Sequence, residues 1–242
     1  MHLLAVKNLN MAFGGLRAVN NLNFEVTCGE IVALIGPNGS GKTTTLNLIT
    51  GFLKPDSGSI EFDGDEIAGC PRSRVCRGGI VRTFQINKPF LEFTAVENVM
   101  VGRVYGANPT KNLIQAEEES LDVLEKVGLH EKAKVLAKDL TLMQRKRLEL
   151  ARALAARPKL LLLDELMAGL NHAEAEQAME TIQDIRETGV TIMIVEHIVK
   201  AIMGLSDRII VLNMGEKIAE GTPQEIAHDP HVVEVYLGKP HA

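Results

Sequence analysis

A chain of 242 residues with 45% apolar residues can bury a sizeable core, in one large domain or in a domain carrying a smaller subdomain. The net charge of −5 gives no electrostatic footing for a nucleic-acid partner, and none is expected. Three cysteines, Cys28, Cys70 and Cys76, form no CxxC pair and accompany no histidine cluster, which argues against disulfides and structural zinc and for a reducing compartment.

The first residues, "MHLLAVKNLNMAFGG", lack the long apolar stretch of a secretory signal. No run reaches the ~18 apolar residues of a membrane span, so a soluble, cytosolic protein is expected. Short apolar runs alternate with helical patterns, which points to an α/β architecture with a largely parallel sheet. "LLAVKNL" and "LNFEVT" read as early strands, and "EIVALIG" as a buried strand followed by a helix from about Lys42. "GSIEFDG" reads as a strand in a hairpin region. The stretch from Asn112 to Val127 is acidic and amphipathic, with Leu113, Ala116, Leu121, Leu124 and Val127 available for one face. A helix over about Gln144 to Ala156 stops before Arg157-Pro158, since proline disfavours helix in the residue ahead of it. "KLLLLD" is a buried strand, a helix follows from Ala173 to Glu187, and "VTIMIVEH" is another buried strand. "RIIVLNMGEKIAEG" reads as two strands joined by a tight turn at Met214-Gly215, and "DPHVVEVYLGK" as a short closing helix. The mostly helical segment from about 86 to 155 is expected to be inserted between strands of the core.

"GPNGSGKT", Gly36, Pro37, Asn38, Gly39, Ser40, Gly41, Lys42 and Thr43, matches G-x-x-x-x-G-K-[ST] between a strand and a helix, the context that pattern requires; Thr44 extends it into the helix. Its glycines let backbone N–H groups converge on phosphate oxygens, and the helix N-terminus adds its positive end. Lys42 is expected to reach the β- and γ-phosphates of a nucleoside triphosphate, and the Thr43 hydroxyl to serve Mg²⁺. "LLLLDE" then ends an apolar strand in two acids. At such a strand end ligands collect, so Asp164 is the expected Mg²⁺ partner, through water, and Glu165 the group that polarises the attacking water. "TIMIVEH" repeats the pattern, placing His197 after a strand expected to neighbour that of Asp164; the competing reading is a structural histidine.

These pieces, in this order and over essentially the whole chain, resemble an ATP-binding cassette subunit of an ABC transporter. The resemblance implies a P-loop NTPase fold with a RecA-like core, an antiparallel β subdomain and an inserted helical subdomain. One domain would span 1–242, with 1–85 and 157–242 forming the core and β subdomain and 86–156 the helical part. Phe13, in "MAFGG", falls where such cassettes stack an aromatic on adenine, the alternative being a core phenylalanine. Gln85, in "VRTFQ", matches the glutamine that senses Mg²⁺ and the attacking water. His197 matches the histidine that contacts the γ-phosphate, and Ala168, Gly169, Leu170 and Asn171 the loop through which two cassettes communicate. "VRTFQINKPFLEFTAVENVMVG", "VEHIVKAIMGLSDRIIVLNMGEKIAEGTP" and "VVEVYLG" are similar to the ATP-binding subunits of branched-chain amino-acid importers.

The implied mechanism pairs two cassettes head-to-tail around ATP, with the second either a paralogue or a copy. Two integral membrane permease subunits, encoded elsewhere, would place the chain in the cytoplasm against the inner face of the membrane and connect it indirectly to a solute-binding protein. The region from about Ile86 to Gly106 is the expected permease-facing surface, with Phe90, Leu91 and Phe93 either exposed there or half-buried in the chain's own core.

Two motifs depart from the family pattern: Asn171 and His172 stand where aspartate and often proline are commonest, the Asn being usual for the importer subgroup, and the signature differs more. Where cassettes carry L-S-G-G-Q, this chain has Leu140, Thr141, Leu142, Met143 and Gln144. Thr141 keeps a hydroxyl for the partner's γ-phosphate, but Met143 replaces a glycine that permits close backbone approach. ATP binding is expected to survive and turnover to weaken. Two further readings stand beside a transport motor: a regulatory ABC protein that hydrolyses slowly, favoured by Met143, and a soluble ABC ATPase of DNA repair or the ribosome, which a chain this short without heptads fits poorly.

Overall fold

A computed structural model describes residues 2–83 and 89–237. In chain order its elements begin with β1 (His2–Phe13), β2 (Leu16–Thr27), β3 (Ile31–Ile35), α1 (Lys42–Ile49), β4 (Ser57–Phe62), β5 (Asp65–Glu66), α2 (Arg72–Gly78) and β6 (Ile80–Arg82). There follow α3 (Ala95–Tyr105), α4 (Leu113–Lys126), α5 (Leu142–Ala155), β7 (Leu160–Asp164), α6 (His172–Glu187) and β8 (Thr191–Val195). The chain closes with α7 (Val199–Leu205), β9 (Arg208–Asn213), β10 (Glu216–Gly221), α8 (Pro223–His228) and α9 (Pro230–Leu237). The fold is α/β, and it divides into two compact units, Met1–Val75 with Thr191–Ala242 and Cys76–Val190.

The first unit holds an antiparallel sheet in the order β2-β1-β4-β5. Its core side is set by pairs such as Leu4 opposite Val26 and Val6 opposite Phe24. Both long strands run well past the apolar stretches the sequence marks, because Asn8 and Asn21 adopt positive φ and absorb register shifts that carry pairing on to Phe13 and Leu16. The same unit contains strands in the order β10-β9-β3-β8, with β3 parallel to both β8 and β9. Every residue of β3 and β8 is buried, as expected of parallel strands covered on both faces. Met214 and Gly215, both at positive φ, form the expected tight turn between β9 and β10.

In the second unit, β6 runs parallel to β7, and α3, α4 and α5 pack together. The approach of α3 to α5 depends on Gly102, where an added Cβ would lie 2.1 Å from the Arg152 carbonyl oxygen. Helix α4 buries Ala116, Ser120, Leu124 and Val127, whereas Leu113, which the amphipathic pattern assigns to the inner face, is 64% exposed. Leu113 is the first helical residue after the Asn112 cap, ahead of the turns that pack. Helix α5 begins at Leu142 rather than Gln144, for a reason that bears on function. The short elements α2, β6, α7 and α8 span too few residues to show a clear periodicity and go unmarked in the sequence.

Candidate functional site

The phosphate-loop segment leaves buried strand β3 at Gly36, whose φ of 151° is open to glycine. A Cβ there would fall 2.1 Å from the carbonyl oxygen of Leu212, so the loop is pressed against β9 as tightly as backbone allows. Gly41 caps α1 at φ 103°, and a Cβ on it would meet the Ala18 carbonyl oxygen at 2.4 Å. The carbonyl of Ser40 accepts from the Gly215 amide at 3.0 Å, and the Gly215 carbonyl accepts from Asn20 at 2.9 Å, tying the loop to the β9–β10 turn. Lys42 is buried, and its ammonium donates to the carbonyls of Gly36 at 2.7 Å and Pro37 at 3.0 Å. Thr43 and Asn38 are exposed, and Thr44 is half-buried.

The N-terminus of α1 is left open, as that of α7 is and those of α3, α6 and α8 are not, in a way that suits an anion. No side chain caps it, and its first turn contains no acid. By contrast, α3, α6 and α8 each close with a capping box that supplies a carboxylate: Thr94 with Glu97, Asn171 with Glu174, and Thr222 with Glu225. Hydrogen bonds from Thr94 and Thr222 hold the carboxyls of Glu97 and Glu225 below the ordinary glutamate range. Helix α1 leaves its orphan N–H groups and its dipole end to an outside acceptor.

Two other expected residues lie in the same unit. Phe13 ends β1 and is 48% exposed, so it is not a core phenylalanine. His197 follows β8 and is exposed, directly after buried Glu196.

In the second unit, β7 buries all five of its residues and ends at Asp164. The Asp164 carboxylate accepts from Arg82 at 2.6 Å, and its amide donates to the Thr83 hydroxyl at 3.3 Å. Glu165 follows at φ 52°, a left-handed conformation uncommon for a residue with a long side chain. The loop behind it turns through exposed Ala168 and Gly169 to half-buried Leu170 and to Asn171, which caps α6.

Of the residues expected to form the signature, Leu142, Met143 and Gln144 open helix α5 and Leu140 and Thr141 precede it. Thr141 is the N-cap of α5: its hydroxyl accepts from the Gln144 amide at 3.3 Å, and the Gln144 side chain accepts from the Thr141 amide at 3.0 Å. Met143 therefore stands in the first turn of the helix rather than ahead of it. Its side chain is half-buried and faces a shallow crevice with Leu150, Leu166 and Leu170. Leu140 is buried and Leu142 is 54% exposed, and a Cβ added at Gly169 would lie 3.7 Å from Leu142 Cδ2. Lys146, a buried residue the sequence reading passes over, donates to the Leu166 carbonyl at 2.7 Å and joins α5 to the segment after Glu165. Gln85 lies outside the described residues. Phe90, Leu91 and Phe93, just beyond them, are exposed, with the two phenylalanine rings 5.3 Å apart.

The donor set for a metal is sparse. Among the described residues no group of three His, Cys, Asp or Glu side chains is gathered to hold an ion alone. Taken singly, the exposed hydroxyl of Thr43 and the carboxylate of Asp164 are oxygen donors of the kind Mg²⁺ accepts, an ion that keeps several waters and takes further oxygens from substrate phosphates.

Residues 19–168 match the family described as ABC transporter, and residues 216–242 the one described as Branched-chain amino acid ATP-binding cassette transporter. LivG of Escherichia coli strain K12, a high-affinity branched-chain amino acid transport ATP-binding protein, is 43% identical, covering 98% of this chain and 98% of that protein. The ADP conformation of MJ1267, an ATP-binding cassette of an ABC transporter, is similar with a TM-score of 0.89 at 31% identity, over 99% of this chain and 100% of that one. The dimeric structure of MJ0796, a bacterial ABC transporter cassette, gives 0.82 at 27% identity, over 91% and 98%.

Proposed function

The chain belongs to the ABC transporter family and is an ATP-binding ATPase subunit, and from that premise we propose that it powers uptake of branched-chain amino acids. The observation that carries the nucleotide role is the open N-terminus of α1 behind a glycine loop pressed onto β9, with Lys42 held against the loop. The importer role rests on the likeness to LivG along nearly its full length and on the family match at residues 216–242.

In this reading the backbone N–H groups of the loop from Asn38 to Thr44 and the ammonium of Lys42 cradle the ATP phosphates, and Phe13 stacks on adenine. Thr43 and Asp164 would hold Mg²⁺, Asp164 through water, and the ion when bound would neutralise charge on the phosphate oxygens. Glu165 takes the proton from a water whose oxygen attacks the γ-phosphorus; the bond to the β-phosphate oxygen breaks and ADP and phosphate result. His197 orients the γ-phosphate, and Gln85 the attacking water. Leu140 to Gln144 serve the ATP held by a second cassette, since the neutral capping box of α5 leaves its first turn without an acid. Ala168 to Asn171 connect the two sites.

On the likeness to LivG, two separate permease subunits are proposed to hold this chain at the inner face of the membrane; no helix among the described residues is long and apolar enough to cross it. They would bind at the exposed patch of Phe90, Leu91 and Phe93, with a solute-binding protein acting beyond them. The test is co-purification with the permease subunits followed by vesicle uptake of leucine, isoleucine and valine, with ATP on the side of the cassette. ATP-dependent accumulation is the expected result. Failure to associate with any membrane complex would favour a slowly hydrolysing regulatory protein, a reading supported by Met143 in the signature.

A further inference from the structure

We propose that Arg82 is a positioning residue that sets the Mg²⁺ threshold of nucleotide binding by holding the Asp164 carboxylate as a permanent competing cation. The proposal rests on the reading of Asp164 as the carboxylate that serves Mg²⁺. Arg82 ends β6, in register beside Leu162 of β7. Its guanidinium lies 2.6 Å from Asp164 Oδ2, and the two side chains are only 4% and 8% exposed. The next residue, Thr83, is buried too; its amide donates to the Leu162 carbonyl at 2.9 Å while its hydroxyl accepts from the Asp164 amide at 3.3 Å. The end of β6 thus fixes both the backbone and the side chain of one residue.

The physical consequence has a definite sign. The guanidinium places a full positive charge 2.6 Å from the carboxylate, in a pair that is almost wholly buried. In a poorly solvated setting a paired carboxylate offers an approaching dication a much weaker field than a lone one. With Oδ2 engaged, Oδ1 is the oxygen left to accept from a metal-bound water. Arg82 therefore orients the carboxylate and at the same time weakens its hold on the metal. Removing the charge leaves Asp164 buried without a counter-ion, which destabilises the metal-free protein and strengthens its pull on a dication.

The experiment uses the full chain with ADP and Mn²⁺ as the probe, reading bound metal by electron paramagnetic resonance and ADP affinity separately in EDTA. Arg82→Gln is expected to lower the half-saturating Mn²⁺ concentration about tenfold, since a full charge next to the ligand is removed. It should also lower the metal-free Tm, with Mn²⁺ and ADP restoring more of it than they add to the parent. Arg82→Met, which fills the space without a donor, carries the same expectation and serves if the glutamine variant does not fold. Arg82→Lys should stay near the parent threshold, and ADP affinity in EDTA should match the parent throughout, which a merely structural role would not give. A threshold unchanged or raised in both Arg82→Gln and Arg82→Met overturns the proposal while leaving the reading of Asp164 intact. A parent threshold that Asp164→Asn fails to shift overturns that reading and the proposal together.

Discussion

Glu165 stands at φ 52°, and a side chain in the left-handed region costs about 1 kcal/mol, a strain that persists where the surroundings impose it. The position follows the last residue of β7, so the turn is what swings the glutamate off the strand line. Two substitutions separate strain from chemistry. Glu165→Gln keeps the backbone and the shape; it should retain ATP binding and a parent-like Tm but lose about 100-fold or more in turnover, the scale of a general base. Glu165→Gly removes the strain with the carboxylate, so hydrolysis should fall as far while the Tm stays at or above that of the parent. Undiminished hydrolysis in Glu165→Gln moves the base to another group. The carboxylates themselves are legible in "LLLLDE", because an apolar run that stops at two acids reads as a strand end. The backbone strain is not, since φ is set by contacts distant in sequence. Arg82 escapes the same way: it sits in a three-residue strand, and its partner is at position 164.

At the level of elements, α5 shows how a resemblance can displace a boundary. "TLMQ" is a T-x-x-Q capping box, and Thr141 and Gln144 satisfy each other's amides as that pattern requires. Alignment to a family motif draws attention to the missing glycine, whereas the local hydrogen-bond logic starts the helix two residues earlier. With Met143 inside the first turn and facing the crevice beside Leu166 and Leu170, its side chain helps dock α5 on the segment that follows Glu165. Met143→Gly should therefore do two opposing things. Stability should drop by about 1 kcal/mol from helix propensity, seen as a Tm lowered by a few degrees. Steady-state hydrolysis should rise severalfold if a bare backbone lets the partner's phosphate approach more closely; no gain over the parent removes the proposed handicap. Strongly periodic or fully apolar elements, β3, β7, β8 and α6, are plain in the sequence. Elements such as α2 and β6 are not, because three to seven residues cannot display a period.

At the scale of the whole molecule, the alternation of buried strands with helices specifies α/β from the sequence, while the length of β1 and β2 depends on asparagines at positive φ that no apolar pattern reveals. The surface left over is also informative. Leu142 at the start of α5 and Phe13 at the end of β1 are large apolar side chains left in solvent, although the core has room for most of their kind. Both belong to segments assigned to ATP, one to the chain's own nucleotide and one to that of a second cassette, and a nucleotide-bridged dimer would cover both. Burying a leucine that is half-exposed in the single chain contributes on the order of 1 kcal/mol per copy. Dimerisation should therefore depend on nucleotide and on Leu142 together. In sedimentation velocity, Glu165→Gln with ATP is expected to run as a dimer, and without ATP as a monomer. Adding Lys42→Ala should abolish the dimer by removing the ammonium held against the phosphate loop. Adding Leu142→Asp instead should leave ATP binding to the single chain intact and still prevent the dimer, since it buries a charge against phosphate-bearing ligand rather than disturbing the loop. A dimer that persists through Leu142→Asp would place the second cassette on another face, and the signature assignment would then have to be given up.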